Sequence, residues 1–453
     1  MNIQFESADK VNGLMTITIE KADYEEKVTK TLKDYRKRAQ VPGFRPGMVP
    51  MGLIKRQYGT AVKVEEVNKL LSEKLFEYVR ENKIQMLGDP LPDEEKQQPQ
   101  DFEQDGPFTF VFDIAVAPEM AVSLTGRDKI DYYVIEADDK LIDEQVQMYA
   151  SQAGEFVQAQ EWSGNDTLTG DLRQLDAQGN TLEGGITTSG GMIMPSYIKN
   201  EDEKKKFEGA KPGDIITFNP KKAYPDNDAE VAALLKVEKE QVADLTSDFS
   251  FQLTEIRHFQ PAAVDQKLFD RVFGEGTVKD EKEFRQKIAE TVAPQLQANG
   301  DYKFLLDVRE HMEKKVGKVE FPEALLKRIM LNNNKDKGAD YVEKNFEGSI
   351  NELKWHLIKE QLVAANNVKV EDDDLMAVAK DAIRQQFAQY GMSNVPDDVL
   401  ENYAKEQLKK RENIDNFVDR AVDQKLIVAL KGVVKLNEKK VTLEEFNKLM
   451  QGK

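Results

Sequence analysis

Val41-Pro42-Gly43-Phe44-Arg45-Pro46-Gly47-Met48-Val49-Pro50 is the stretch on which the reading of this chain turns. Two glycines and three prolines in ten residues predict a shaped, low-entropy loop, with Phe44 and Arg45 displayed at its tip. An aromatic ring beside a guanidinium can stack on and pair with RNA or dock on a protein patch. An exposed Phe with no partner would only cost solubility.

The flanks carry a strong positive charge. Between Lys30 and Arg56 lie eight cations (Lys30, Lys33, Arg36, Lys37, Arg38, Arg45, Lys55 and Arg56) against the single acid Asp34, a local charge of +7. The whole chain has a net charge of -18, so everything outside this segment sums to -25. Such a composition argues against a nucleic-acid-binding role for the chain as a whole and confines contact with RNA to one helix-loop-helix, where each phosphate contact adds affinity and salt dependence.

Outward from the loop, residues 1–118 read as an α+β unit. Strands are expected at Ile3 to Glu6 and Leu14 to Ile19, and a helix from Asp23 to Ala39. A second helix carries Val64, Val67, Leu71, Leu75 and Tyr78 on one stripe. A polar loop from Asp89 to Gly106 leads to a closing strand in which Phe108, Phe110, Phe112 and Ile114 alternate with Thr109, Val111 and Asp113.

Residues 119–158 form a linker and the first part of a helical body, with an extended Tyr132 to Ile135 and a helix from Asp138 to Gln152. Residues 159–260 change to glycine-rich short strands, with turns at Ala177 to Asn180 and Pro212 to Asp214 and an alternating Phe249, Phe251, Leu253. Residues 261–453 read as helices: beyond residue 265 only Pro294, Pro322 and Pro396 occur, the last two where helices would begin. Ser349 with Glu352 predicts a capping box ahead of Leu353, and Leu375, Val378, Ala382, Phe387 and Tyr390 a further apolar stripe. The expected class is α+β and multidomain: an α+β N-terminal domain, a small β-rich domain and an elongated all-α C-terminal body.

At 453 residues, two to four domains are expected. The absence of cysteine excludes disulfide scaffolds, thiol catalysis and Cys-type zinc sites. His258, His311 and His356 show no metal-ligand spacing and no pairing with a nucleophile, so surface or interhelical roles are expected, with no metal and no cofactor. No Walker loop or dinucleotide fingerprint occurs. The opening MNIQFESADK has no basic cluster followed by an apolar run, and no later segment approaches the roughly 20 apolar residues a bilayer requires, so a cytoplasmic chain without membrane contact is expected.

Gly43-Phe44-Arg45-Pro46-Gly47 followed by Val49-Pro50, between two helices, resembles the ribosome-docking signature of the trigger factor family. The resemblance continues in order over most of the chain: docking domain, linker, β domain, helical arms. It implies an ATP-independent chaperone that binds nascent polypeptides at the exit tunnel of the large ribosomal subunit, through protein and ribosomal RNA. It also implies that Gly43, Phe44, Arg45, Pro46, Gly47 and Met48 make the ribosome contact, Met48 standing where the family usually has Lys. Leu353, Leu357, Ile358, Asn367 and the acidic Asp372 to Asp374 before Leu375 resemble the stretch that contributes to the substrate cradle. Whether the free chain forms a homodimer is left open.

The β domain sits where trigger factors carry a peptidyl-prolyl isomerase module similar to the FK506-binding proteins. Such a fold rotates X-Pro bonds in an aromatic-walled apolar pocket without acid or base. Gly191 to Pro195 resembles the pocket floor, and Ile193, Tyr197, Ile198, Tyr224 and Phe251 are the pocket candidates. Leu172 and Leu182 stand at expected wall positions, and a polar insert runs from Lys199 to Lys206, so isomerase activity is expected to be weak or lost. The alternative is an active prolyl isomerase whose flanking domains deliver substrate.

Overall fold

The computed structural model describes residues 1–7, 9–45, 47–390, 392 and 395–452. The chain begins β1 (Asn2–Ser7), β2 (Asn12–Ile19), α1 (Lys21–Arg38), α2 (Met51–Glu81), β3 (Leu91–Pro92), β4 (Phe108–Ala115), β5 (Lys129–Glu136) and α3 (Asp139–Gln152). The middle holds β6 (Glu155–Ala159), β7 (Thr167–Gln174), β8 (Thr187–Ile193), α4 (Glu201–Lys205), β9 (Ile215–Phe218), α5 (Pro220–Ala223), α6 (Asp228–Leu235), α7 (Lys239–Val242) and β10 (Phe249–Gln260). Then follow α8 (Gln266–Phe273), α9 (Glu281–Val316), α10 (Glu323–Asn333), α11 (Gly338–Ala365), α12 (Asp372–Gln389), α13 (Asp397–Leu408), α14 (Arg411–Lys431), β11 (Lys435–Thr442) and α15 (Leu443–Gln451). The chain divides into two compact units, Met1–Tyr133 with Asp301–Lys439, and Val134–Gly300 with Lys440–Lys453.

In the first unit β1, β2, β4 and β3 form an antiparallel sheet in that order, with Ile17 opposite Ile3 on one side and Phe110 on the other. The period-2 alternation of β2 turns Met15, Ile17 and Ile19 to one face, where they are fully buried. Tyr24 of α1 and Val67, Leu70, Leu71 and Leu75 of α2 cover them. Burying such aliphatic side chains stabilises the domain by about 1.5–3 kcal/mol each. Glu20 and Asp23 close a reciprocal capping box at the start of α1, and Thr31 Oγ1 donates to the buried Glu66 carboxylate across the two helices at 2.8 Å.

Within the same unit, Leu87 and Ala115 share an apolar cluster with Leu325, Leu326 and Ile329 of α10 and Phe346 and Leu357 of α11. Arg328 ties that junction by pairing with Asp113 at 2.7 Å and donating to the Pro92 carbonyl. A larger cluster joins Phe304, Val308 and Met312 of α9 to Trp355, Ile358 and Leu362 of α11 and Leu426 and Leu430 of α14. Pro322 and Pro396 are the N-cap residues of α10 and α13, as their positions predict, because a proline has no N–H to leave unpaired there.

Three expectations need correction in this region. Ser349 and Glu352 cap nothing: both lie inside α11, where the Ser349 hydroxyl donates back to the Asn345 carbonyl and Glu352 pairs with Arg309. The capping pattern is short enough to recur inside a helix whose apolar face continues on both sides. The expected α12 stripe is turned by about one residue, with Val378, Ala379 and Ile383 buried and Tyr390 exposed. The C-terminal body is not wholly helical, since β11 pairs with β5 in a two-stranded ladder. Its Lys-rich run signals no strand by composition; only the distant partner strand makes it one.

In the second unit, β10 pairs with β7 along one edge and with β9 and β6 along the other, and β8 follows β7. Phe249, Phe251 and Leu253 point inward with no exposure, and with Leu168, Leu172, Phe207 and Phe218 they fill the core of this sheet. A separate cluster unites Ile142 and Val146 of α3, Leu268 and Phe269 of α8, and Phe284 and Ile288 of α9. No helix among the described residues is long and apolar enough to cross a membrane.

Candidate functional site

Between α1 and α2 the chain makes two successive turns. Phe44 N–H donates to the Val41 carbonyl at 3.1 Å, with Gly43 at φ +88°; Met48 N–H donates to the Arg45 carbonyl at 2.9 Å, with Gly47 at φ +84°. A type II turn requires this left-handed conformation at its third residue, and glycine supplies it without steric cost. A Cβ at either position would meet no atom within 4 Å, so backbone conformation, not crowding, demands the glycines. Pro46 lies outside the described residues.

The turns hold Phe44 and Arg45 side by side, both exposed, and leave Met48 70% exposed, while Val49 is fully buried. Val49 packs with Leu32, Ile54 and Val62, and Val41 and Ala39 border the same small core. The loop is thus anchored by its valines and displays its tip.

Arg36 has a second anchoring role that charge counting misses: its Nε donates to the Val49 carbonyl at 2.8 Å. Of the other cations in the segment, Lys37 pairs with Asp34 at 2.7 Å and holds that carboxyl below its usual range. Lys30, Lys33, Arg38, Arg45, Lys55 and Arg56 are exposed and have no ion-pair partner among the described residues. Unpaired cations on one segment of an acidic chain form a local positive surface suited to phosphates.

In the β domain, Tyr197 and Tyr224 line one cleft of about 710 Å³ together with Thr167, Met192, Met194 and Leu234. Tyr197 is 68% exposed, whereas Tyr224 is buried and its phenol is pushed well above the usual value by desolvation. Lys199, Glu230 and Lys236 add charge to the cleft. Ile193, Ile198 and Phe251 are not brought to it; they are buried in the domain core. Leu172 is buried there too, against Gly191, and Leu182 is exposed. The insert from Lys199 to Lys206 forms α4, whose buried Glu203 accepts from the Asn219 N–H and from Lys206.

On the helices, Ala379, Ile383, Leu400 and Ala404 form a small core beside which Phe387 meets Tyr403 edge-on at 5.4 Å. Tyr390 at the C-cap of α12, Met392 just beyond it and Tyr403 of α13 are exposed, 73%, 48% and 52% respectively. Each histidine faces one carboxylate: His258 Asp166, His311 Asp128 and His356 Glu360. Among the described residues no group of side chains is arranged to hold a metal ion.

An α+β N-terminal domain with an exposed Phe-Arg loop, followed by a β domain and a helical region, defines a multidomain protein of the α+β class. Residues 1–149 match the family model described as bacterial trigger factor protein, 156–261 that of the probable trigger factor FKBP-like domain, and 300–450 that of the probable trigger factor C-terminal domain. The trigger factor of Chlorobaculum tepidum is 23% identical over 454 residues, spanning 96% of this chain and 97% of that protein. That of Marinobacter nauticus is 22% identical over 467 residues, spanning 98% of each. The chain belongs to the trigger factor family of chaperones.

Proposed function

We propose that this chain is an ATP-independent cytoplasmic chaperone that docks on the large ribosomal subunit near the tunnel exit and holds emerging polypeptides on its helices. Residues 1–118 would serve as docking domain, 119–158 as linker and first part of the body, 159–260 as isomerase-like domain and 261–453 as substrate-binding arms. The observation that carries the reading is the pair Phe44 and Arg45, exposed between two glycine turns on a segment of charge +7 in a chain of charge -18. The remaining negative charge would keep the body off ribosomal RNA and leave this loop as the attachment point. Cosedimentation with purified ribosomes at low and moderate salt tests it: binding should be clear at low salt and weaken as salt rises. No cosedimentation at low salt overturns the docking reading.

Isomerase activity is proposed to be weak. Rotation of an X-Pro bond needs a dry, apolar enclosure, and of the five pocket candidates only Tyr197 and Tyr224 face the cleft, which also carries Lys199, Glu230 and Lys236.

A further inference from the structure

At the loop end of the α1–α2 pair, a cleft of about 700 Å³ is lined by Thr31, Asp34, Tyr35, Arg38 and Gln40 from the α1 side and Tyr58 from α2. Tyr35 and Tyr58 meet there at 5.6 Å between ring centroids with a 36° tilt, and Tyr35 is 41% exposed. Neither ring belongs to the sheet core; Tyr58 packs with one side against the loop core of Leu32, Val49, Ile54 and Val62, and Tyr35 is in neither cluster. Gln40 is followed directly by the first turn of the loop, so the cleft adjoins the loop in the chain.

We infer that this cleft receives an unpaired RNA base, stacked on the tyrosine pair, with Arg38 on the neighbouring phosphate. The inference rests on the ribosome-docking reading and extends its footprint. Single-stranded nucleic acid is held by this combination, an aromatic platform for the base and unpaired cations along the backbone. Arg38 is exposed with no ion pair among the described residues, and Lys30 earlier on α1 and Arg45 in the adjoining loop are likewise exposed and unpaired there. Asp34 has one oxygen on Lys37 and the other without a hydrogen bond among the described residues, so it can accept from a base amino group. Charge complementarity favours RNA over a protein occupant: a segment of charge +7 would repel a basic partner protein.

Two measurements decide it. In the first, a fluorescently labelled single-stranded RNA decamer is titrated at low salt with the full chain. Replacing both rings (Tyr35→Leu, Tyr58→Leu) should weaken binding about tenfold, the scale of one lost stack, while Tyr35→Phe with Tyr58→Phe should bind as the parent does. Because the leucine pair could disturb packing, Arg38→Gln on the exposed surface provides a second probe; it should lower the slope of log affinity against log salt by about 0.7. Absence of decamer binding by the parent chain, equal affinity of the leucine pair, or an unchanged slope for Arg38→Gln overturns the assignment.

In the second, the same variants are cosedimented with ribosomes, and a photo-crosslinker replaces Gln40. Where the parent chain sediments, weaker sedimentation of the leucine pair and crosslinks to ribosomal RNA support the inference; unchanged sedimentation of that pair or crosslinks to ribosomal protein alone overturn it. A parent chain that binds the decamer through the two rings but never sediments with ribosomes sinks the docking reading and leaves the RNA cleft standing, so the two failures are distinguishable.

Discussion

Arg36 on α1 and Val49 at the far end of the docking loop are joined by a 2.8 Å hydrogen bond from the guanidinium Nε to the backbone carbonyl oxygen, across 13 residues of sequence. The bond fixes the end of the loop to the helix that begins it. A hydrogen bond from a charged group to a carbonyl contributes about 1.5–3 kcal/mol, enough to decide whether a ten-residue loop keeps one shape. Arg36→Met should therefore weaken ribosome cosedimentation several-fold and lower the melting temperature of its unit by a few degrees while the chain remains folded at the assay temperature. Arg36→Lys keeps the charge but not the planar donor and should recover only part of the binding. Full binding by the methionine variant would show that the loop holds its shape without this anchor.

Phe44→Ala combined with Arg45→Ala should abolish cosedimentation and leave the fold intact, since both side chains are exposed and contribute nothing to the valine core beneath them. Met48→Lys should tighten binding at low salt, because that side chain points to solvent beside the same tip. Comparison of bound fractions across a salt series, with circular dichroism as the fold control, checks both. A well-folded double variant that still sediments sinks the docking reading.

Prolyl isomerase activity toward short peptides should be weak or absent in a protease-coupled assay. If residual turnover is measured, Tyr224→Ala should remove it, because Tyr224 is the buried aromatic that lines the cleft. An efficiency comparable to efficient isomerases would overturn the expectation.

The polar loop of residues 89–106 is held to the helices by Asp105, which accepts from Lys63 at 2.8 Å and Lys21 at 2.9 Å and whose carboxyl is lowered to about 2. A carboxyl with a folded value below its unfolded one stabilises the fold when ionised, above about pH 4, and loses that contribution as pH falls toward 2. Asp105 is half-exposed, so solvent screening keeps the effect small. Asp105→Asn should lower the melting temperature at pH 6 and make less difference at pH 2. A gap that stays constant between the two pH values would contradict the assignment.

The β domain leaves and re-enters the rest of its unit at one point, where Glu155 pairs with Gln260 and Ala262 N–H donates to the Ala150 carbonyl. The core of α3, α8 and α9 includes no residue of the β domain. Replacing residues 155–260 by a short Gly-Ser linker should therefore preserve the helices. That variant should still suppress aggregation of a refolding client at stoichiometric ratios, through exposed apolar groups such as Tyr390, Met392 and Tyr403. Light scattering no lower than with an inert control protein would remove the arms from the chaperone mechanism.

Much of the geometry of the candidate loop was legible in the sequence because turn chemistry is local. Pro-Gly pairs specify their own bends, and Gly43 and Gly47 adopt the positive φ such bends need. The anchor Arg36, by contrast, was counted as one more surface cation, since nothing in its neighbourhood signals that a carbonyl 13 residues away will face it. Tyr35 and Tyr58 carry no signal in the sequence for the same reason: each is an unexceptional helix residue until α1 and α2 lie side by side. The isomerase candidates divide likewise. Alternation told that Phe251 points to one side of its strand, but not that this side is the core and not the cleft.

By itself the sequence determined what depends on neighbours a few residues apart: the strands β2 and β4 with their period of two, the amphipathic α2, the proline starts of α10 and α13, and the exposed Phe-Arg tip with its surrounding charge. Tertiary structure alone decided what depends on which segments meet, whether they lie a dozen or hundreds of positions apart. It made β11 a strand by giving it β5 as a partner, placed Leu87 and Ala115 against α10 and α11 in one apolar cluster, and set Arg36 on Val49 and Tyr35 on Tyr58. Hydrogen-bond ladders and buried clusters are properties of pairs of surfaces, and a single segment specifies only its own half of each.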